Sequence, residues 1–237
     1  MAGLGRVKAL LFDVFGTVVD WRGALLAEGE ALARAKGVSV DWPRFIAAWE
    51  SARRPAMDRV NAGEIPWTNM SEIYRRRLDE VLPGFGLESM DEPEREHFNR
   101  VWCRPNPWPD TLPALARLGR KFVLATLTNN DFAWAVAMAK HARLPWDCIL
   151  TAELFRRYKP APETYRGALA LLAVRPEEAM MVASHNYDLR AAQAQGLRTA
   201  FFPRKEHGEG QTRDQAPEGA WDIVTGDLSE LADRLGA

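Results

Sequence analysis

Residues 7–17 read VKALLFDVFGT. The apolar run Ala9-Leu10-Leu11-Phe12 breaks off at Asp13, and Gly16 and Thr17 follow. A short apolar run without alternation is the pattern of a strand buried on both faces of a parallel sheet. A carboxylate at its C-terminal end would stand at the edge where open α/β sheets bind ligands. Asp13 is therefore the first candidate functional residue.

Downstream of Thr17 the period changes from strand to helix. Gly23–Lys36 carries apolar residues at helical spacing and stops at Gly37, a natural C-cap. Trp42–Arg54, Asn69–Leu82 and Pro93–Trp102 also read as helices, the last opening on a proline at the favoured first position. No strand pattern is visible between about residues 20 and 104, and the proline-punctuated Arg104–Asp110 reads as a hinge. Beyond it strands and helices alternate. Strands are expected at Phe122–Leu127, Cys148–Thr151, Met180–Ala183, Arg198–Phe202 and Asp222–Val224. Helices fall at Thr111–Leu118, Asp131–Ala142, Pro162–Ala173, Asp188–Gln195 and Leu228–Leu235. Such alternation implies right-handed βαβ units on a parallel sheet. The expected fold is α/β: a doubly wound Rossmann-like core over residues 1–19 and 105–237, with an all-helical cap over 20–104 inserted after the first strand. Lys205–Pro217 is polar and reads as a mobile surface loop.

Composition narrows the function classes. The 237 residues are 47% hydrophobic and 27% charged, with a formal net charge of -1, which offers no electrostatic footprint for nucleic acid or an anionic membrane. No apolar run approaches the ~20 residues of a membrane span, and the N-terminus lacks a signal-peptide pattern. The two cysteines, Cys103 and Cys148, fit neither a disulfide scaffold nor a zinc motif, so a cytoplasmic location is expected.

The expected strands end in polar signatures: Asp13 and Thr17; Thr128-Asn129-Asn130; Tyr158-Lys159-Pro160 with Tyr165 beyond; and Ser184-His185-Asn186-Tyr187-Asp188. Helix capping explains one such cluster, but not a series of them carrying a lysine and two aspartates. Together DxxGT, a strand ending in Thr-Asn, YKP and S-x-N-x-D resemble the haloacid dehalogenase superfamily over residues 7–202. Within it the chain most resembles the L-2-haloacid dehalogenases, whose first motif reads DxYGT and whose third includes YKPxxxxY. That resemblance implies a hydrolase of short 2-haloalkanoic acids needing no metal or other cofactor, and it suggests a homodimer. Asp13 would be the nucleophile, Lys159 would keep it ionised, and Thr17, Ser184 and Asn186 would orient it or the water. Asp188 would pair with Lys159 or help activate water. Thr128 and Asn129 would hold the substrate carboxylate with backbone N–H groups at a helix N-terminus, and Asn129 would help cradle halide. Phe15, Tyr187, Trp67 and Tyr165 are the candidates to line the pocket.

The sequence departs from the pattern at instructive positions. Where the superfamily's phosphatases carry a second aspartate as general acid, this chain has Phe15, which cannot transfer a proton. That disfavours the rival reading, a magnesium-dependent phosphatase of small metabolites. A catalytically silent binding protein is disfavoured by the complete set Asp13, Thr17, Lys159, Asn186 and Asp188. The relatives' halide-binding arginine follows a cap tryptophan, but here Glu50 follows Trp49. Arg53 or Arg54 is expected to replace it, since Trp49 and Arg53 would share one helix face. An extended segment after the strand would turn His185 away from Asn186, toward core packing or a supporting role behind the residues of the site.

Overall fold

The computed structural model describes residues 4–208 and 210–237. Its strands are β1 (Ala9–Phe12), β2 (Val19–Asp20), β3 (Asn106–Pro107), β4 (Val123–Thr126), β5 (Ala179–Ala183), β6 (Arg198–Phe201) and β7 (Ile223–Val224). Five of them form a parallel sheet in the order β4-β1-β5-β6-β7, while β2 and β3 pair as an antiparallel ribbon. The helices are α1 (Trp21–Lys36), α2 (Trp42–Glu50), α3 (Arg53–Asn61), α4 (Met70–Val81), α5 (Glu92–Asn99), α6 (Thr111–Leu118), α7 (Phe132–Ala142), α8 (Ala152–Phe155), α9 (Pro162–Leu171), α10 (Asn186–Ala194) and α11 (Leu228–Arg234).

β1 is buried throughout because it lies between two parallel neighbours and under helices on both faces. Its side chains alternate: Leu10 and Phe12 pack with Leu115, Met138 and Leu231 on one face, and Leu11 packs with Tyr165, Leu169 and Leu189 on the other. The register sets Phe12 level with Thr126 of β4 and Val182 of β5. The residues that follow each strand therefore emerge together at one sheet edge.

The helical block α1–α5 leaves and rejoins the core through the β2–β3 ribbon. Asp20 caps α1 by accepting the Gly23 N–H at 2.8 Å, and Gly37 ends it in the left-handed conformation at φ 66°. Inside the block, Trp49 stacks on Phe98 with centroids 5.4 Å apart and Tyr74 on Trp102 at 4.1 Å. Core side chains fasten the block from outside. The Asp131 carboxylate accepts the Met70 and Ser71 N–H groups at the start of α4 at 2.6 and 3.0 Å, and Tyr158 donates its hydroxyl to the Thr68 carbonyl at 2.6 Å.

Three expectations change. The helix expected over Trp42–Arg54 breaks at Ser51-Ala52 into α2 and α3. Pro55 has no N–H for the Ser51 carbonyl, and its ring crowds that carbonyl. Cys148–Thr151 forms two isolated bridges rather than a strand. Side chains replace part of that ladder: Asp147 accepts the Leu124 N–H, and the Thr126 hydroxyl exchanges hydrogen bonds with both backbone groups of Leu150. The stretch 205–217 is not a plain surface loop, because Glu206 and Gln211 are buried and Gln211 ties together His207, Arg204 and Arg213.

Candidate active site

Asp13 follows β1 at the C-terminal edge of the sheet and faces a cavity of about 330 Å³ between core and cap. The cap contributes Trp21, Arg53, Arg54, Met70, Tyr74 and Trp102 to the wall. The core contributes Asp13, Phe15, Thr128, Asn129, His185 and Tyr187.

The Asp13 carboxylate has a donor set that leaves little freedom. Oδ1 accepts from Lys159 Nζ at 2.8 Å. Oδ2 accepts from the Thr17 hydroxyl at 2.8 Å and lies 2.8 Å from His185 Nδ1. The Thr17 oxygen is fixed in turn by the Ser184 N–H at 3.0 Å. Burial alone would raise the Asp13 carboxyl, but the Lys159 and His185 cations beside it outweigh burial and hold it well below the usual carboxylate range. Burial would lower the Lys159 ammonium, and the charges of Asp13 and Asp188 raise it instead. Asn129 sets the lysine's backbone, accepting its N–H at 2.7 Å and donating to its carbonyl at 3.0 Å.

Several expected residues are thus brought together, and others stand elsewhere. Asp188 does pair with Lys159, but it is fully buried behind the lysine and also accepts the Tyr165 hydroxyl at 2.5 Å. It is absent from the cavity wall, as is Tyr165, which therefore positions Asp188 instead of lining a substrate pocket. Asn186 is turned away from Asp13. Its amide donates to Asp214 and the Ala216 carbonyl at 2.9 and 3.0 Å and accepts from Glu218 N–H and Trp221 Nε1. The reason is that α10 begins at Asn186, so its side chain leaves along the helix rather than across the sheet edge. Ser184 acts through its backbone, and its hydroxyl has no hydrogen-bond partner among the described residues.

α7 starts only at Phe132, so neither Thr128 nor Asn129 stands at a helix terminus as expected; the Thr128 N–H is engaged by the Leu150 carbonyl at 3.3 Å, whereas the Asn129 N–H has no hydrogen-bond partner among the described residues. The Thr128 hydroxyl is buried without a partner among the described residues and belongs to a cavity-lining residue. The Asn129 amide is occupied by the Lys159 backbone rather than free to cradle halide. Trp67 stacks on Tyr158 at 4.6 Å, away from the wall. Arg53 and Arg54 do line the cavity, although the break before α3 removes the shared helix face with Trp49. Arg53 is paired with Glu50 at 2.9 Å, and Arg54 lies over the Tyr187 ring at 5.3 Å.

The residue that sequence reasoning misplaced is His185. It points at Asp13 because the chain turns into α10 immediately after it, ending the extended alternation on which the opposite expectation rested. Its Nε2 lies 2.6 Å from Glu206 Oε1, and Glu206 Oε2 accepts Trp21 Nε1 at 2.7 Å. Glu206 comes from the stretch read as a loop; only its isolation among polar neighbours in the sequence hid it. Both partners of the imidazole are acceptors, so both ring nitrogens donate and His185 is an imidazolium. Burial opposes that charge, but Glu206 and Asp13 overcome it and raise the imidazole well above its ordinary value. Burial would raise Glu206, and His185 holds it well below the usual range instead.

A parallel α/β core with a helical cap and a buried Asp–Lys pair at the first strand's edge defines a capped hydrolase. The model of the haloacid dehalogenase-like hydrolases matches residues 7–196, and the chain belongs to that family. Among solved structures it is similar to the L-2-haloacid dehalogenase PA0810, with 43% identity, a TM-score of 0.94 and coverage of 97% of this chain and 99% of that one. It is also similar to the defluorinating L-2-haloacid dehalogenase Rha0230, with 38% identity, a TM-score of 0.95 and coverage of 100% and 98%. The (S)-2-haloacid dehalogenase of Xanthobacter autotrophicus is 26% identical over 201 residues, 84% of this chain and 76% of that relative.

Proposed function

We propose that this chain is an (S)-2-haloacid dehalogenase that converts short 2-haloalkanoic acids to 2-hydroxy acids without a metal, through an ester on Asp13. The observation that carries this reading is the Asp13 carboxylate itself. It is kept ionised by Lys159 at the floor of the cavity, while the position two residues on is the ring of Phe15. Such a carboxylate can displace halide from carbon by back-side attack, and halide leaves without a proton. A phosphate ester would need an acid for its leaving alcohol, and Phe15 supplies none.

In this reading Asp13 Oδ1 or Oδ2 forms the bond to the halogen-bearing carbon and the carbon–halogen electron pair departs with the halide. Water then adds to the Asp13 carbonyl carbon, and the product carries a former Asp13 oxygen with inverted configuration. Of the polar residues that line the cavity, we assign the Thr128 hydroxyl and the Arg53 or Arg54 guanidinium to the substrate carboxylate and the departing halide. The apolar rings of Phe15, Trp21 and Trp102 keep bulk water from the carbon.

Halide release from L-2-chloropropionate or chloroacetate, undiminished by EDTA, is the expected result. Magnesium-dependent cleavage of p-nitrophenyl phosphate with no halide release would refute it. A single turnover in heavy-oxygen water should place label on Asp13; label confined to the product would mean direct attack by water. Because Rha0230 is a defluorinating enzyme by name, fluoroacetate belongs in the same assay.

A further inference from the structure

Ester hydrolysis needs a group that takes a proton from water beside Asp13, and the expected candidates are out of reach. Asp188 and Lys159 are sealed from the cavity, Thr17 is buried with its hydroxyl already donating to Asp13, and Asn186 faces the 214–221 stretch. Among the other cavity-lining carboxylates besides Glu206, Glu50 is paired with Arg53, Asp214 accepts from Asn186 and Glu218 is paired with Arg190. His185 alone of the described side chains has a titratable nitrogen against Asp13, reaches the cavity, and is anchored through its second nitrogen.

We propose that His185 is the general base and acid that hydrolyses the Asp13 ester, with Glu206 as its positioning residue. The inference rests on the dehalogenase reading above. In the free enzyme His185 is an imidazolium held between two carboxylates. When Asp13 displaces halide it becomes a neutral ester, and one of the two charges that kept His185 protonated is gone. Nδ1 then releases its proton to solvent through the cavity, while Nε2–H stays bonded to Glu206 and fixes the tautomer. Neutral Nδ1 takes a proton from the attacking water as its oxygen bonds to the Asp13 carbonyl carbon. It returns that proton to the leaving alkoxide as the ester carbon–oxygen bond breaks. The Asp13 carboxylic acid then passes its proton to Nδ1, restoring carboxylate and imidazolium. One water is consumed, and one halide, one hydroxy acid and one proton are released, so the cycle balances.

Glu206 joins this step to the cap. Its other oxygen holds the indole of Trp21, the first residue of α1, so the base is oriented from the point where the chain enters the cap. The groups facing His185 are Asp13 after β1, Glu206 from the stretch after β6 and the Tyr187 ring 5.8 Å away. Lys159 lies beyond Asp13 and His207 beyond Glu206.

The test uses the intact chain and chloroacetate. His185→Gln should release about one halide per chain in a burst and then stall, with steady turnover down about 10²-fold or more. Intact mass should show a carboxymethyl group, mapped to Asp13. Glu206→Gln should slow ester hydrolysis with alkylation little changed. Its acid limb for hydrolysis should move to lower pH, because removing the carboxylate charge lowers the imidazole; that readout stands even if His185→Gln does not fold. Equal loss of burst and turnover with no trapped ester, or an unmoved pH limb in Glu206→Gln, would overturn the assignment while leaving wild-type dehalogenation intact. A wild-type chain that releases no halide would overturn both.

Discussion

Replacing Lys159 by methionine removes a cation and leaves its shape. The ammonium is 1% exposed, donates to Asp13 at 2.8 Å and also pairs with Asp188, itself fully buried. Deleting one member of a buried ion pair costs about 3–5 kcal/mol, since the remaining charge is left uncompensated. Here two carboxylates are left, and among the described residues His185 is the one cation still beside Asp13, with the Thr17 and Tyr165 hydroxyls as neutral donors to Asp13 and Asp188 respectively. That cost is shared by the two acids, each of which becomes harder to ionise once the ammonium is gone. In the wild type the Asp13 value is depressed, so it contributes stability above its unfolded value of about 3.9 that is lost as pH falls through the lower folded value. In the variant the folded value rises instead, and ionising Asp13 costs stability as pH increases. Urea titrations at several pH values should therefore show a gap that widens from acid to neutral pH. Single-turnover halide release should fall sharply, with its acid limb displaced upward. A gap below about 1 kcal/mol that does not vary with pH, or unchanged halide release, would refute the role given to Lys159.

Gly16 has φ +79°, and a Cβ there would sit 1.9 Å from Glu206 Oε2; Gly16→Ala should cost about 1–3 kcal/mol by thermal melts and slow turnover by displacing Glu206. Asp131→Ala strips the acceptors of two N–H groups at the start of α4, so a loss of about 1–3 kcal/mol is expected, and equal stability to wild type would show that the cap is held otherwise. Arg53→Ala and Arg54→Ala should be compared on the same substrate. One of them should lower kcat/KM at least about tenfold, a loss of ~1.4 kcal/mol, and if neither does, the halide site lies elsewhere.

Much of the fold was legible because its signals are local. β1, the Gly37 cap and the helix–strand alternation after Asp110 follow from period, caps and turn residues that act within one or two turns. The same holds for Asp13 and Lys159, whose motifs mark the ends of buried strands and loops. The failures share a different cause. Pro55 splits a helix whose apolar period runs through it, and Cys148–Thr151 loses its ladder to the side chains of Asp147 and Thr126.

At the site, sequence alone determined which elements end in polar residues and that Phe15 stands where a second acid would be needed. Only tertiary structure decided which of those residues share the cavity. Asn186 and His185 are adjacent in the chain, yet the start of α10 sends one toward Asp214 and the other to Asp13. Glu206 lies 21 residues beyond His185 in a stretch with no motif, and it reaches the imidazole because β6 returns the chain to the same sheet edge. Hydrogen bonds of that range depend on how strands are ordered, and no local period in a sequence encodes that order.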